Sequence, residues 1–472
     1  FSTLPEFLND RFDDDVRRLT VILFMLGYGL VTIPSVLYSG SIAVMQLFDV
    51  PVLFNLSYST ALAATIVAIG SIGAIYAVFG GLKAVAVSDT LNGIGLLAIG
   101  IAVPVLGLSL LGDGNVGQGL HIITNTNTEK LNAIGSSSDP TPFATLFTGM
   151  IFANLFYWCT NQYVIQRTLA AKNLAEGQKG VLFSGFFKVL VPFIMMLPGV
   201  IAFHLYGAVG SETGLASIDL AYPQLIRDVL PVYAMGFFLA VLLGAVFSSF
   251  NSLLNSAATL FCLDVYVPYK ERQGQQHVSD EKVLKMAKRA SIVIALFSFV
   301  VAPMLQFAPD GLWQIIRVFT GFYNIPVIAI VIVGLFAPQV PALGPKLVIC
   351  FHILVYGLLK FVFDDVVTLH FIHLYAILFF IEVAIMLVVG MRYPRAAVWT
   401  YSTSDKVDLQ PWRFAGPCAV TLISCVIGLY LLFSPIGLVG GISTLFWFAI
   451  SALTVANMAV WLLAYRPGYS PL

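Results

Sequence analysis

Runs of about twenty apolar residues recur along the whole 472-residue chain, and no other feature limits its fold so severely. A segment of that length and character is what crosses the ~30 Å hydrocarbon core of a bilayer. Twelve spans are expected: 19–43, 52–79, 84–111, 142–165, 178–208, 230–264, 286–306, 312–337, 343–362, 370–391, 413–434 and 442–465. In lipid every backbone polar group needs an internal partner, which leaves only helices or closed barrels. These runs are too long and too evenly apolar for barrel strands. The chain therefore reads as an all-α polytopic membrane protein. Only 10% of its residues are charged, against about 25% in a soluble domain. Its 24 basic residues balance 24 acidic ones, so nothing in the charge suggests a nucleic-acid partner.

The basic residues segregate. Nineteen of the 24 Lys and Arg, from Arg11 to Arg466, fall on one side of this twelve-span arrangement. Lys130, Arg227 and Lys360 fall on the other, and Lys188 and Arg317 remain inside spans. By the positive-inside rule both ends of the chain face the cytoplasm. Loops 112–141 and 209–229 then lie outside, and the basic loop 266–285 lies inside. None of them is long enough for a soluble domain, so 1–472 reads as one transmembrane domain. No secretory signal is visible, and the chain opens with Phe1 in a polar segment, from which we expect that its true N-terminus has been removed. Cys159, Cys262, Cys350, Cys418 and Cys425 lie in apolar runs without a CxxC, and read as packing residues.

Ionisable and polar groups inside spans are the functional candidates. Lys188, in GFFKVLVPF, lies about ten residues into the fifth span, ~15 Å deep; it serves function, or pairs structurally with a carboxylate or carbonyls. Asp89 begins the third span, where a helix N-terminus would also favour it. Arg317 lies about a turn and a half into the eighth span, within reach of snorkelling. Glu382 and the Asp364–Asp365 pair are weaker candidates.

The sixth span carries Ala245, Ser248, Ser249, Asn251, Ser252, Asn255 and Ser256 within about three turns. Such hydroxyl and amide oxygens suit a hard cation, especially beside carbonyls freed at a helix break. A stripe of small residues also packs helices together. The fourth span carries Asn154, Tyr157, Trp158, Asn161 and Gln162. Aromatic faces with amides suit a sugar or polyol; an interfacial aromatic belt is the competing reading. Pro192 and Pro198, and Pro326 with Gly321, are expected to break the fifth and eighth spans. There is no P-loop and no GxGxxG opening a helix, so ATP-driven pumping has no support in the sequence.

The segments TLPEFLNDRF, YAVFGGLKAVAVSD, ANLFYWCTNQYVIQRTLAAKN, GFFKVLVPF and FSSFNSLLNSAATLFCLDVY occur in one order over most of residues 3–340. Together they resemble the sodium:solute symporter family, in particular its bacterial sodium/galactose and sodium/glucose cotransporters. The resemblance implies a five-plus-five inverted-repeat fold lacking its first helices. In it 19–111 is the remainder of the first repeat, 142–337 the second repeat and 343–465 peripheral helices. It implies a sodium site at Ala245, Ser248 and Ser249. It further implies a possible second sodium site at Asp89, Asn251 and Ser252, although Asn251 stands where a small hydroxyl residue is usual. Asn154 and Lys188 match sugar-binding positions, Tyr157 matches an inner-gate aromatic, and Trp158 adjoins it. Asn161, Gln314 and Arg317 join the candidate solute set, but Arg317 stands where sugar-transporting members carry Gln. Arg is a donor only, and points to an anionic solute as the alternative. The helices completing these sites would lie upstream of Phe1.

The implied function is sodium-coupled symport of a sugar or related polyol, of the galactose or glucose class, across a bacterial inner membrane. Na+ would be the coupling ion, with no other cofactor. The alternatives are an anionic sugar, carboxylate or amino acid as cargo, or an uncoupled sodium/sugar sensor or channel. An enzyme is not supported, because no carboxylate pair, Ser/His arrangement or metal cluster converges on one span.

Overall fold

The computed structural model describes residues 3–211, 214–274, 278–307, 312–397, 399–400 and 407–466, and of residues 78–88 only the backbone. Its principal helices, in chain order, begin with α1 (Leu4–Arg11), α2 (Asp14–Gly27), α3 (Ile33–Phe48), α4 (Tyr58–Leu111) and α5 (Gly149–Cys159). Then come α6 (Gln162–Leu169), α7 (Leu174–Val189), α8 (Leu197–Tyr206), α9 (Val232–Phe261) and α10 (Asp280–Val301). The last are α11 (Leu312–Phe336), α12 (Leu343–Gly357), α13 (Phe371–Arg392), α14 (Ala415–Leu432) and α15 (Thr444–Ala464). Among the described residues, eleven helices are long and apolar enough to cross a membrane. Their ends follow local chemistry. Asp13 caps α2 by accepting from the Val16 amide at 2.9 Å, and Asn173 caps α7 through the Glu176 amide at 2.9 Å.

Three expectations change. The fourth span is not one crossing helix: α5 has 11 residues and α6 has 8, with a break at Thr160 and Asn161. No turn separates the second and third spans, because α4 is one helix of 54 residues. At 1.5 Å per residue it is about 81 Å long, so its two apolar windows, Tyr58–Ala77 and Asp89–Leu111, share one bilayer only if the helix bends between them. The eighth span is unbroken, since α11 runs through Pro326, whose missing N–H leaves the Phe322 carbonyl without its usual partner.

The chain forms two compact units: Phe1–Gly93, Ala144–Ile165 and Leu239–Ser402 make the first, and Ile94–Phe143, Gln166–Phe238 and Thr403–Leu472 the second. In the first, α11 is the centre. Its best apolar window is 67% buried, and α5, α12 and α13 pack on it. Arg11, fully buried, closes its C-terminal end. Its Nε donates to the Gly334 carbonyl at 2.7 Å, Nη2 to Ala337 at 2.9 Å and Nη1 to Val340 at 3.2 Å. These carbonyls belong to the last turn of α11 and the loop that follows it, and a planar cation can reach all three at once. Burial and the neighbouring Arg395 push the Arg11 pKa down to about 10, so it is still charged at neutral pH. In the second unit α14 packs on α15 and on α7. Only 6% of the apolar windows of α14 and α15 is buried, as helices facing lipid require.

The cysteines correct a further expectation. Cys262 is buried, but Cys159 and Cys350 are exposed on apolar helices, so those two are not packed in the protein interior.

Candidate functional site

The break in the fourth span is made by one carbonyl. Thr160 Oγ1, at 2.8 Å, and the amides of Thr160 and Asn161, at 3.0 and 3.1 Å, all donate to Phe156 O. That ends α5. The Asn161 carbonyl then accepts from the Val164 and Ile165 amides, both at 3.0 Å, and starts α6. Asn161 is buried at the break, and its Oδ1 accepts a 2.6 Å hydrogen bond from the Tyr28 hydroxyl. Tyr28 opens a π-helical turn, Tyr28–Thr32, between α2 and α3. Beside it, a Cβ on Gly27 would lie 2.4 Å from the Tyr323 ring, so only glycine admits that close approach. Phe24, Tyr28, Phe156 and Tyr323 form one ring cluster. Tyr163 packs edge-on against Tyr28 at 6.2 Å and donates to the Tyr157 hydroxyl at 2.6 Å.

Asn161 thus serves the break itself. Asn161→Ala leaves a buried Tyr28 hydroxyl without its acceptor, and is expected to cost about 1–3 kcal/mol. In thermal unfolding of the detergent-solubilised protein, adding Tyr28→Phe to that variant should cost less than the two single changes together.

Asn154, Tyr157 and Trp158 share one face of α5, at spacings i, i+3 and i+4. Asn154 is exposed, and its Nδ2 donates to the Met150 carbonyl at 2.9 Å. From α11, Arg317 Nη2 reaches the Met150 sulfur at 3.2 Å, with its guanidinium 5.8 Å from the Phe371 ring centre. The structure therefore brings two predicted solute residues, Asn154 and Arg317, to the same methionine. Gln314 lies nearly a turn before Arg317, half-buried. Trp158 is exposed and packs edge-on against Tyr157, centroids 5.0 Å apart. The spacing within YWCTNQYVIQR signals the face, whereas Met150, Tyr28, Tyr163 and Tyr323 carried no signal that sequence reading caught.

On α9, Ala245 and Ser248 are half-buried and Ser249 is exposed. The helix is continuous through them, so α9 itself supplies no carbonyl freed by a break. Ser252 Oγ donates to the Ser248 carbonyl at 2.8 Å. Asn251 is fully buried, and neither Oδ1 nor Nδ2 has a hydrogen-bond partner. An amide oxygen in that position suits a hard cation or a bound water. Asp89 is half-buried on α4. One turn on, the Asn92 side chain approaches Gly244, where a Cβ would lie 2.3 Å from Oδ1; this sets the turn of α4 after Asp89 against α9 one residue before Ala245.

Lys188 belongs to the second unit, exposed near the end of α7. Its carbonyl loses the usual i+4 donor, because residue 192 is proline. The fifth span breaks there into a π-helical turn, Pro192–Met196, as expected. An apolar cavity of about 410 Å³ in the first unit is lined by Gly27, Val31, Ile315, Phe319, Tyr323 and Ile353 among others. None of the predicted ion or solute residues lines it, so it is not their site.

Residues 1–345 match the sodium:solute symporter family. The chain is 40% identical over 474 residues to an uncharacterized symporter, YidK, of Escherichia coli strain K12, covering all of this chain and 80% of that protein. It is 31% identical over 366 residues to the sodium/glucose cotransporter of Vibrio parahaemolyticus, covering 72% of this chain and 63% of that one. A solved structure, the substrate-bound outward-open state of a Na+-coupled sialic acid symporter, superposes with a TM-score of 0.68 at 19% identity, over 84% of this chain and 78% of that one. At that identity the likeness carries the fold, an inverted-repeat transporter architecture. Family and neighbours alike are sodium-coupled transporters rather than enzymes. A helical chain with this many crossing helices and these relatives is a multi-pass plasma-membrane protein, and it belongs to the sodium:solute symporter family.

Proposed function

We propose that this symporter couples sodium entry to uptake of a neutral sugar or related polyol by alternating access. The observation that supports this cargo is the convergence of Asn154 and Arg317 on Met150, on the helix that also carries the half-buried ring of Tyr157 and the exposed ring of Trp158. Ring CH groups of a sugar would stack on the aromatic face, with its hydroxyls on Asn154 and Gln314. The sodium/glucose cotransporter relative supports the same class. Sodium would bind the Ala245 carbonyl and the hydroxyls of Ser248 and Ser249, with Asp89, Asn251 and Ser252 as a second site. Coupling requires that sodium bind the outward state more tightly than the inward one.

The drive is adequate. One charge moving through 100 mV yields about 2.3 kcal/mol and a tenfold sodium gradient about 1.4. Together they would concentrate a neutral solute roughly 500-fold per sodium.

The test is uptake of labelled galactose, glucose and sialic acid into proteoliposomes under an inward sodium gradient, with potassium as control. Sodium-dependent accumulation of galactose or glucose is the expected result; background uptake of both sugars by protein that still binds sodium overturns the sugar assignment. An anionic solute is the second reading, because Arg317 offers only donors on this face. Arg317→Gln separates the two: it should weaken the apparent affinity for a neutral sugar by less than about threefold, but that for an anion by more than tenfold, since a charged hydrogen bond is worth about 1.5–3 kcal/mol.

A further inference from the structure

α12 and α13, which follow the repeats, carry a fully buried pair. His352 Nδ1 lies 2.5 Å from Glu382 Oε1, and both side chains have no exposed surface. His352 Nε2 lies 3.1 Å from the Gly321 carbonyl on α11. A carbonyl can only accept, so Nε2 carries a proton. One further proton then sits between Nδ1 and Oε1, and the pair is neutral overall whichever atom it is drawn on. Two tyrosines extend the contact along the same turn. Tyr356, one turn after His352, donates to the Val318 carbonyl at 3.0 Å, and Tyr375 of α13 donates to the Arg317 carbonyl at 2.5 Å. Gly321 is required for this fit, because a Cβ there would lie 2.4 Å from the Tyr375 hydroxyl oxygen. Three side chains thus fasten three carbonyls between Arg317 and Gly321, the turn that follows Gln314 and ends beside the proline-interrupted bonding at Phe322.

We propose that His352, Glu382, Tyr356 and Tyr375 are positioning residues for the solute: from α12 and α13 they hold the turn of α11 that presents Gln314 and Arg317. The proposal rests on reading those two residues as solute-binding. None of the four touches the solute. Glu382 orients the imidazole so that Nε2–H meets Gly321, and the neutral pair tolerates full burial, where a lone carboxylate would not. Arg317 and Tyr323 of α11 interact electrostatically with Tyr375, and Asp364 with Tyr356. The charges of Asp13 and Asp15 are engaged at the far end of α12, by Lys346.

The test has two readouts on protein in lipid nanodiscs and proteoliposomes. In hydrogen–deuterium exchange, a peptide covering Gln314–Phe322 should exchange roughly tenfold faster in His352→Ala and Glu382→Ala than in the wild type. Sodium-driven galactose uptake in the same variants should show KM raised about fivefold or more, with the maximal rate and the half-saturating sodium concentration within about twofold. Glu382→Gln should restore both readouts, because its amide N–H donates to Nδ1 at any pH. Tyr375→Phe, a milder change that removes one donor, should accelerate exchange about threefold if the alanine variants fail to fold. Wild-type exchange in Tyr375→Phe and either alanine variant, or a Glu382→Gln variant no better than Glu382→Ala, overturns the proposal. Absent galactose uptake by the wild type refutes the sugar reading instead, and the exchange readout still decides this one.

Discussion

Replacing Ser249 with alanine is expected to raise the sodium concentration that half-saturates uptake by about tenfold or more. A sodium ion with few protein ligands loses much of its binding energy with one hydroxyl, and tenfold is only about 1.4 kcal/mol. Ser249 is the exposed member of the trio, and Ser248 is half-buried with its carbonyl already taken by the Ser252 hydroxyl. The effect should therefore be larger for Ser249→Ala than for Ser252→Ala, whose hydroxyl is spent on α9 itself. Sodium titration of uptake in proteoliposomes reads this directly. Unchanged sodium dependence in Ser249→Ala moves the coupling ion elsewhere, and buried Asn251, with both amide atoms unpartnered, is then the place to look next.

The second large effect is on folding. Arg11→Ala removes the three guanidinium hydrogen bonds to the carbonyls of Gly334, Ala337 and Val340, residues that are themselves buried. Hydrogen bonds from a charged donor contribute about 1.5–3 kcal/mol each; the Ala337 carbonyl keeps the Val340 amide at 3.1 Å, but those of Gly334 and Val340 lose the arginine donor in a buried place. A loss of about 3 kcal/mol or more is expected, seen as a lower melting temperature and poor yield of monodisperse protein. Arg11→Lys should recover little, because one ammonium cannot span three carbonyls that a planar fork reaches together. A melting temperature equal to the wild type in Arg11→Ala is the result that contradicts this account.

These two cases show how unevenly the chain could be read in advance. The hydroxyl ladder of α9 was visible because i, i+3 and i+4 spacing is local, and a helix of known pitch turns spacing into a face. The same holds for Asn154, Tyr157 and Trp158. Arg11 was counted only as one more cytoplasmic cation, since its partners lie more than 320 residues away in sequence. Glu382 was ranked among weak candidates for the same reason: its meaning depends on His352, thirty residues earlier on another helix. Asn161 looked like a solute ligand by residue type, and its bond to Tyr28, 133 residues away, is what places it at the helix break instead.

By itself, then, the sequence determined the solvent, the helical class and the positions of nearly every span, because these follow from the apolar length a bilayer demands and from backbone groups that must bond within one segment. Its motifs also pointed to the family. The tertiary structure decided which polar groups are spent on holding helices and which face open space, where the fourth span breaks, and that Asn154 and Arg317 meet at Met150. Those outcomes depend on contacts between distant segments, for which a one-dimensional spacing rule holds no information.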